Sequence, residues 1–331
     1  MGQTRDRREQ GNRSISNLTL LLSERDVESL INMKEVVSSV EEAFRREGMG
    51  DVSNSRRTRS RGSAAVLSVM HATLPYLGRG GLKAYMSSRA GTKFALLLFD
   101  TNDSSLLAVM GADIIGRFRT GAASGVATKY LYGKPTGSLA VFGSGKQALT
   151  QVLAMKEVMT LEEVRVWSPT PEHRLAFTQK LRTFGFDSNA FDSPATALKG
   201  AEVATAISSS KQPYLTEDVI QNVMHLNLAG GNLPDHAELT AAGVGSFNTI
   251  VVDDIAQAKT EYGDLIQAAR DGIFSWESAV ELGTVIAGKM RPQGKTMFKS
   301  GGAALEDVAV ASMIYDRAMK SSASYPTVEL V

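Results

Sequence analysis

Residues 139–148 read Leu-Ala-Val-Phe-Gly-Ser-Gly-Lys-Gln-Ala, an apolar run ending in the spacing G-x-G-x-x-A. Each small residue has a task if a pyrophosphate binds here. Gly143 permits the tight turn, Gly145 lets backbone approach the phosphates, and Ala148 lets the following helix pack closely on the strand. Ser144, Lys146 and Gln147 complete the turn. The helix expected over 147–159 then points free N–H groups and a positive dipole end at the anion. Such spacing is weak alone; between a strand and a helix it reads as a dinucleotide site. The second strand, expected over 164–167, ends where an NAD enzyme usually carries Asp or Glu. Ser168, Pro169, Thr170, Pro171, Glu172, His173 and Arg174 follow instead. With no acid at the strand end, Ser168, Thr170, His173 and Arg174 offer donors to a 2′-phosphate. NADP(H) is therefore expected ahead of NAD(H). The other reading of Ser168 and Thr170 is capping of the next helix.

These residues need a scaffold, and the chain is long enough for two domains: 331 residues, 43% of them apolar. With 36 basic and 35 acidic side chains there is no bias toward nucleic acid. There are no cysteines, which excludes disulfides, thiolate nucleophiles and cysteine-ligated metal; no metal site is expected. The apolar run 18–22 is far shorter than a membrane span, and no later run approaches about 18 residues. A cytoplasmic protein without a membrane partner is expected. Residues 1–16 read as a disordered tail. Asp6 breaks the myristoylation motif, and Asp6 with Glu9 argues against a mitochondrial presequence.

Ser23 opens two amphipathic helices carrying Val27, Leu30, Ile31 and then Val36, Val37, Val40 and Phe44. Short β-type runs at 65–70 and 94–100 predict a mixed, largely antiparallel sheet. The small residues of 120–130 permit a helix whose backbone lies close to a neighbour or ligand. After it, strands at 138–142, 164–167, 203–207, 225–228 and 249–252 alternate with helices, the pattern of a doubly wound parallel sheet. A last helix is expected from Ala303 to Lys320. The class is α/β: a Rossmann-type doubly wound sheet (119–305) beside an α+β domain (17–118 with 306–331).

The stretch 112–131, Ala-Asp-Ile-Ile-Gly-Arg-Phe-Arg-Thr-Gly-Ala-Ala-Ser-Gly-Val-Ala-Thr-Lys-Tyr-Leu, followed closely by the glycine turn, resembles the signature of the ornithine cyclodeaminase/mu-crystallin family. So do Gly81-Leu82-Lys83, the run from His225 to Gly231, and the run from Met297 to Asp307. The order and spacing match from about residue 20 to 320. The resemblance implies a homodimer joined through the N-terminal domain, which also supplies ligands to the substrate carboxylate, and a Rossmann domain that brings a nicotinamide. By position, Arg57, Lys83 and Arg119 correspond to the residues that hold the carboxylate, a task suited to guanidinium forks and a lysine. Lys83 and Arg119 are the expected catalytic pair. Read without the family, Arg56, Arg57, Arg59 and Arg61 are a solvated basic strand and Lys83 a surface lysine. Thr120, Asn232, Ser300 and Gly301 join the turn residues as expected cofactor contacts.

Two departures bear on the reaction. Cyclodeaminases carry an acid where this chain has Asn232, and an asparagine cannot take a proton there. The ketimine-reductase branch also lacks that acid and has Pro-Asp where Pro234 and Asp235 stand. Ser68 replaces a glutamate that resembles the counter-ion for ornithine's distal amine, which leaves Ser68 as a neutral pocket residue. The resemblance thus implies reduction of an imine by hydride transfer, on a cyclic imino acid such as pyrroline- or piperideine-2-carboxylate, or through the imine of pyruvate in an alanine dehydrogenase reaction. Lys83 is the expected proton donor if Arg57 and Arg119 lower its pKa. The rivals are a lyase that recycles its nucleotide and a nucleotide-bound binding protein.

Overall fold

Alternation of buried and exposed residues along Ala65–Leu74, with Ser68, Met70, Ala72 and Leu74 inside and Leu67, His71 and Thr73 outside, marks a strand of a sheet with one covered face. The computed structural model describes residues 18–330, so the tail expected over 1–16 lies outside the described residues. Two compact units are formed. The first takes the chain up to Asn32, then Asp51–Gly116, and then Ala304 onward. Its strands are β1 (Leu18–Leu22), β2 (Ser53–Asn54), β3 (Thr58–Arg61), β4 (Ala65–Leu74), β5 (Arg79–Ser88), β6 (Gly91–Asp100) and β7 (Leu106–Gly111). A last strand, Thr327–Glu329, pairs with β1. The sheet is antiparallel except that β1 runs parallel to β7. Helix Ala304–Lys320 lies against β4 and β5. Gly81 makes this close approach possible, since a Cβ there would sit 3.2 Å from Val308 Cγ2.

The second unit holds β8 (Thr136–Phe142), β9 (Thr160–Trp167), β10 (Ser188–Ala190), β11 (Val203–Ala206), β12 (His225–Leu228), β13 (Thr249–Val252), β14 (Val280–Glu281) and β15 (Thr296–Lys299). All are parallel, in the order β10-β9-β8-β11-β12-β15-β13-β14. Strands β11, β12, β13 and β15 are buried throughout, as a sheet covered on both faces requires. Phe142, Leu226, Leu228 and Met297 fill one core, and Leu139, Val141, Val164 and Val203 fill the other. The doubly wound architecture is therefore as expected.

Helix Asp113–Leu131 runs from the first unit into the second. Its small residues serve packing: a Cβ on Gly121 would overlap the carbonyl of Thr150, and one on Gly125 would lie 3.0 Å from that of Ala154. The neighbour so closely met is the helix Ala148–Val158. Helix Met33–Met49, which a linear reading leaves with the N-terminal domain, belongs to the second unit. It crosses helix Leu282–Ile286 at two glycines, where a Cβ on Gly48 would overlap the Gly283 carbonyl and one on Gly283 would lie 2.7 Å from that of Phe44.

Candidate functional site

The chain leaves β8 for β9 on one side of the sheet and later returns to β11 on the other, so the ends of β8 and β11 flank a topological switch point, where doubly wound sheets bind ligands. Gly143 ends β8 at φ +115°, and a Cβ there would come within 2.7 Å of the Ile207 carbonyl. Around this point opens a cleft of about 690 Å³. Gly143, Ser144, Gly145, Lys146, Gln147, Ser168, Thr170 and Asn232 line it, as do His173 and Asn232's neighbours Gly231 and Leu233. A Cβ on Gly145 would meet no protein atom within 4 Å, so the bare backbone faces open space. Gln147 starts the helix Ala148–Val158 without a side-chain cap. These features fit a pyrophosphate.

Ser144 Oγ donates to Ser168 Oγ at 3.0 Å, which ties the glycine turn to the end of β9. Ser168 Oγ also lies 3.3 Å from the Thr170 carbonyl, and Thr170 precedes helix Pro171–Thr183 without a side-chain cap bond. No Asp or Glu occurs among the lining residues. Arg174 is turned elsewhere: it donates to the Ser168 carbonyl at 3.1 Å and pairs with Asp192. Thr120, Ser300 and Gly301 are likewise not among the lining residues. The Ser300 hydroxyl and the Gly301 N–H both donate to Asp253, each at 3.0 Å.

Residues that the sequence did not single out complete the wall. Ser208, Ser209 and Ser210 follow β11, and Trp167 and Tyr214 pack at a 39° tilt with ring centroids 5.0 Å apart. Position alone flags the serines, because strand ends at a switch point carry ligand loops. Behind them Glu238, fully buried, accepts from Ser208 N (2.7 Å), Ser208 Oγ (2.6 Å), Tyr214 Oη (3.1 Å) and Gly230 N (3.2 Å). Burial raises its carboxyl above the usual range, opposed by the Lys299 charge and the Ser208 hydrogen bonds. The same burial pushes the Tyr214 hydroxyl well up, with the Glu238 charge adding to it. One carboxylate thus clasps the loops that follow β11 and β12.

In the first unit, Lys83 is 3% exposed on β5 and pairs with Asp307 Oδ2 at 2.5 Å. Met70 stands opposite Lys83 in register, so Ser68, two residues earlier on β4, shares its covered face. Ser68 is 2% exposed. Arg57 is also buried, its Nε 3.4 Å from Met70 Sδ, while Arg56 and Arg61 are exposed. The solvated-strand reading therefore holds for those two and not for Arg57. Nor is Lys83 a surface lysine. Asp307 escaped notice because its pairing joins positions 224 residues apart in the chain, 83 and 307.

In the second unit, Arg119 is 7% exposed on helix Asp113–Leu131, with its guanidinium against Gly302. The ornithine cyclodeaminase/mu-crystallin family model matches residues 18–322. The chain belongs to this family. An alanine dehydrogenase of Archaeoglobus fulgidus is 31% identical over 92% of this chain and 96% of its own length. The ketimine reductase mu-crystallin of Rattus norvegicus is 34% identical over 67% of this chain and 68% of its own. Among solved structures, a Δ1-pyrroline-2-carboxylate reductase of Thermococcus litoralis, in complex with NADH and L-proline, superposes with a TM-score of 0.85 at 29% identity, covering 91% of this chain and 98% of that one. The quoted motifs have structural reasons in this chain: Gly81 admits a helix, Gly143 and Gly145 shape the cleft, and the fully buried His225 and Asn227 are hydrogen-bonded to each other and to Thr296 and Thr128.

Proposed function

We propose that this chain is an NAD(P)H-dependent oxidoreductase that reduces the C=N bond of a small imino acid. The observation that carries the reading is the acid-free cleft at the switch point, walled by a glycine turn and containing Asn232 where a cyclodeaminase needs a proton acceptor. Relatives named for alanine dehydrogenation, ketimine reduction and Δ1-pyrroline-2-carboxylate reduction support it. A reduced nicotinamide dinucleotide held at the turn of Gly143, Ser144, Gly145, Lys146 and Gln147 would supply the hydride for the imine carbon. The chain's part is orientation and charge: Arg57, Lys83 and Arg119 hold the substrate carboxylate, Ser68 gives the pocket a neutral wall, and Lys83 gives a proton to the imine nitrogen. A cyclic imino acid such as pyrroline- or piperideine-2-carboxylate suits Ser68 better than a substrate with a cationic tail.

For the cofactor, NADP(H) is the preferred partner in this reading. Ser144, Lys146, Ser168 and His173 supply hydroxyls, a charge and a ring to a 2′-phosphate, and no carboxylate in the cleft opposes it. Arg174 enters only by holding the Ser168 carbonyl. The outward face of β4 to β7 carries Leu67, Val69, Leu82, Met86, Leu97 and Val109, with Leu67 and Met86 38% and 45% exposed. That face is the proposed homodimer surface, and the protein is proposed to work in the cytoplasm.

The test is a panel: pyrroline-2-carboxylate, piperideine-2-carboxylate, pyruvate with ammonia, and ornithine, each with NADPH and NADH. Net loss of reduced-cofactor absorbance with a cyclic imine is expected. Ammonia released from ornithine without net cofactor turnover would instead identify a recycling lyase.

A further inference from the structure

Asp253, at the end of β13, has no solvent exposure and gathers donors from a three-residue turn. Its Oδ2 accepts from Ser300 Oγ at 3.0 Å, Gly301 N at 3.0 Å and Gly302 N at 2.7 Å. Its Oδ1 accepts from Tyr262 Oη and, at 2.9 Å, from Asp254 N. Gln257 Nε2 holds the other side of the turn by donating to the Gly302 carbonyl at 3.1 Å. Charge-assisted bonds of this kind fix a backbone far more firmly than neutral ones. The turn so fixed presents one surface of interest. Gly302 sits at φ +89°, and a Cβ there would overlap Arg119 Nη1 and lie 2.5 Å from both Cζ and Nη2. The guanidinium therefore packs directly against a bare α-carbon, a position closed to it if residue 302 had any side chain.

We propose that Gly302, anchored through its N–H to Asp253, is the positioning residue for the Arg119 guanidinium and so sets how well the chain recognises a carboxylate-bearing substrate. This rests on the reading of Arg119 as a carboxylate ligand. A planar fork binds a carboxylate through paired, directional bonds, so a tilt or shift of the plane by an ångström weakens both bonds at once. Asp253 and Gly302 act through Arg119 and not on the substrate.

The test is a double-mutant cycle between Gly302→Ala and Arg119→Leu, read by KM and kcat for the imino acid and by dinucleotide affinity from fluorescence. Gly302→Ala alone is expected to lower kcat/KM by on the order of 10²-fold, mainly through KM, with dinucleotide affinity kept. In the Arg119→Leu background the same change should cost no further substrate affinity, because the group it displaces is gone. Equal losses in both backgrounds, or KM unchanged in Gly302→Ala, overturns the proposal. Unchanged kcat/KM in Arg119→Leu itself would instead remove the carboxylate reading beneath it. Since alanine at positive φ strains the backbone whatever surrounds it, Asp253→Asn supplies a variant that removes the charge without an added heavy atom. It should raise KM for the imino acid while leaving dinucleotide affinity intact, and parallel loss of both, or of neither, counts against the proposal.

Discussion

Lys83 and Asp307 are buried together, and removing one partner of such a pair leaves the other as an uncompensated charge, typically costing about 3–5 kcal/mol. Lys83→Met should therefore lower kcat, change its pH profile and reduce Tm. Adding Asp307→Asn should recover much of the Tm without restoring kcat, which separates the lysine's chemistry from its structural pairing in one set of melting and rate measurements. Arg119→Leu should behave differently, losing roughly 2–5 kcal/mol of transition-state binding in kcat/KM while the dinucleotide still binds. Cofactor choice turns on another residue. Ser168→Asp would put a carboxylate against a 2′-phosphate and should shift the ratio of kcat/KM values toward NADH; a wild type that already prefers NADH would contradict the account of this loop. Glycines 143 and 145 were legible in the sequence because their spacing follows from backbone geometry. Arg174 is bonded to Asp192, eighteen residues on, and to the Ser168 carbonyl, contacts that nothing in a linear sequence announces.

Elements were legible where burial and period agree. Strands β8, β11, β12 and β13 fall where apolar runs predicted them, but β15 was not expected as a strand: it is four residues long and ends in Lys299, whose burial depends on pairing with Asp264 at 2.8 Å. It enters the sheet between β12 and β13, out of chain order, which no local pattern announces. Its neighbour β12 carries an unusual polar seam. His225 Nδ1 lies 2.8 Å from Thr296 Oγ1 and its Nε2 lies 3.2 Å from Asn227 Oδ1, while Asn227 Nδ2 donates to Thr128 Oγ1 at 2.9 Å. Burial lowers the imidazole from 6.5 to about 4, with the Asn227 and Thr296 bonds opposing. The folded chain thus keeps His225 neutral while the unfolded chain protonates it below 6.5. Its contribution to stability is whole above that pH, erodes as pH falls, and is lost by about pH 4, on the order of 3 kcal/mol. Denaturant unfolding at stepped pH should show this slope, and His225→Gln, though less stable near neutrality, should show a shallower one; equal slopes would remove His225 from the seam's pH response.

At the scale of the whole molecule, the apolar face of β4 to β7 poses a question that secondary structure cannot answer. A sheet alternates its side chains, so once Met70, Leu96, Leu98 and Met110 fill the covered side, the opposite side is obliged to take the residues between them. Those residues include Leu67, Val69, Leu82, Leu97 and Val109, beside the polar His71, Thr73 and Lys93. Leu67 stands in register with Met86, and Leu82 with Leu97, so the apolar positions are contiguous across strands rather than scattered. An apolar patch of this kind is what the proposed homodimer would cover, and a two-fold pairing of the same face is the simplest closed solution. The chain should sediment as a dimer at micromolar concentration. Leu67→Glu combined with Met86→Glu brings two carboxylates to one spot and, under two-fold symmetry, sets four against the interface; this variant should sediment as a monomer. Its dinucleotide affinity should stay near that of the wild type, because every residue lining the switch-point cleft belongs to the second unit. A wild-type chain that sediments as a monomer, or a double variant that remains dimeric, would exclude this face as the interface.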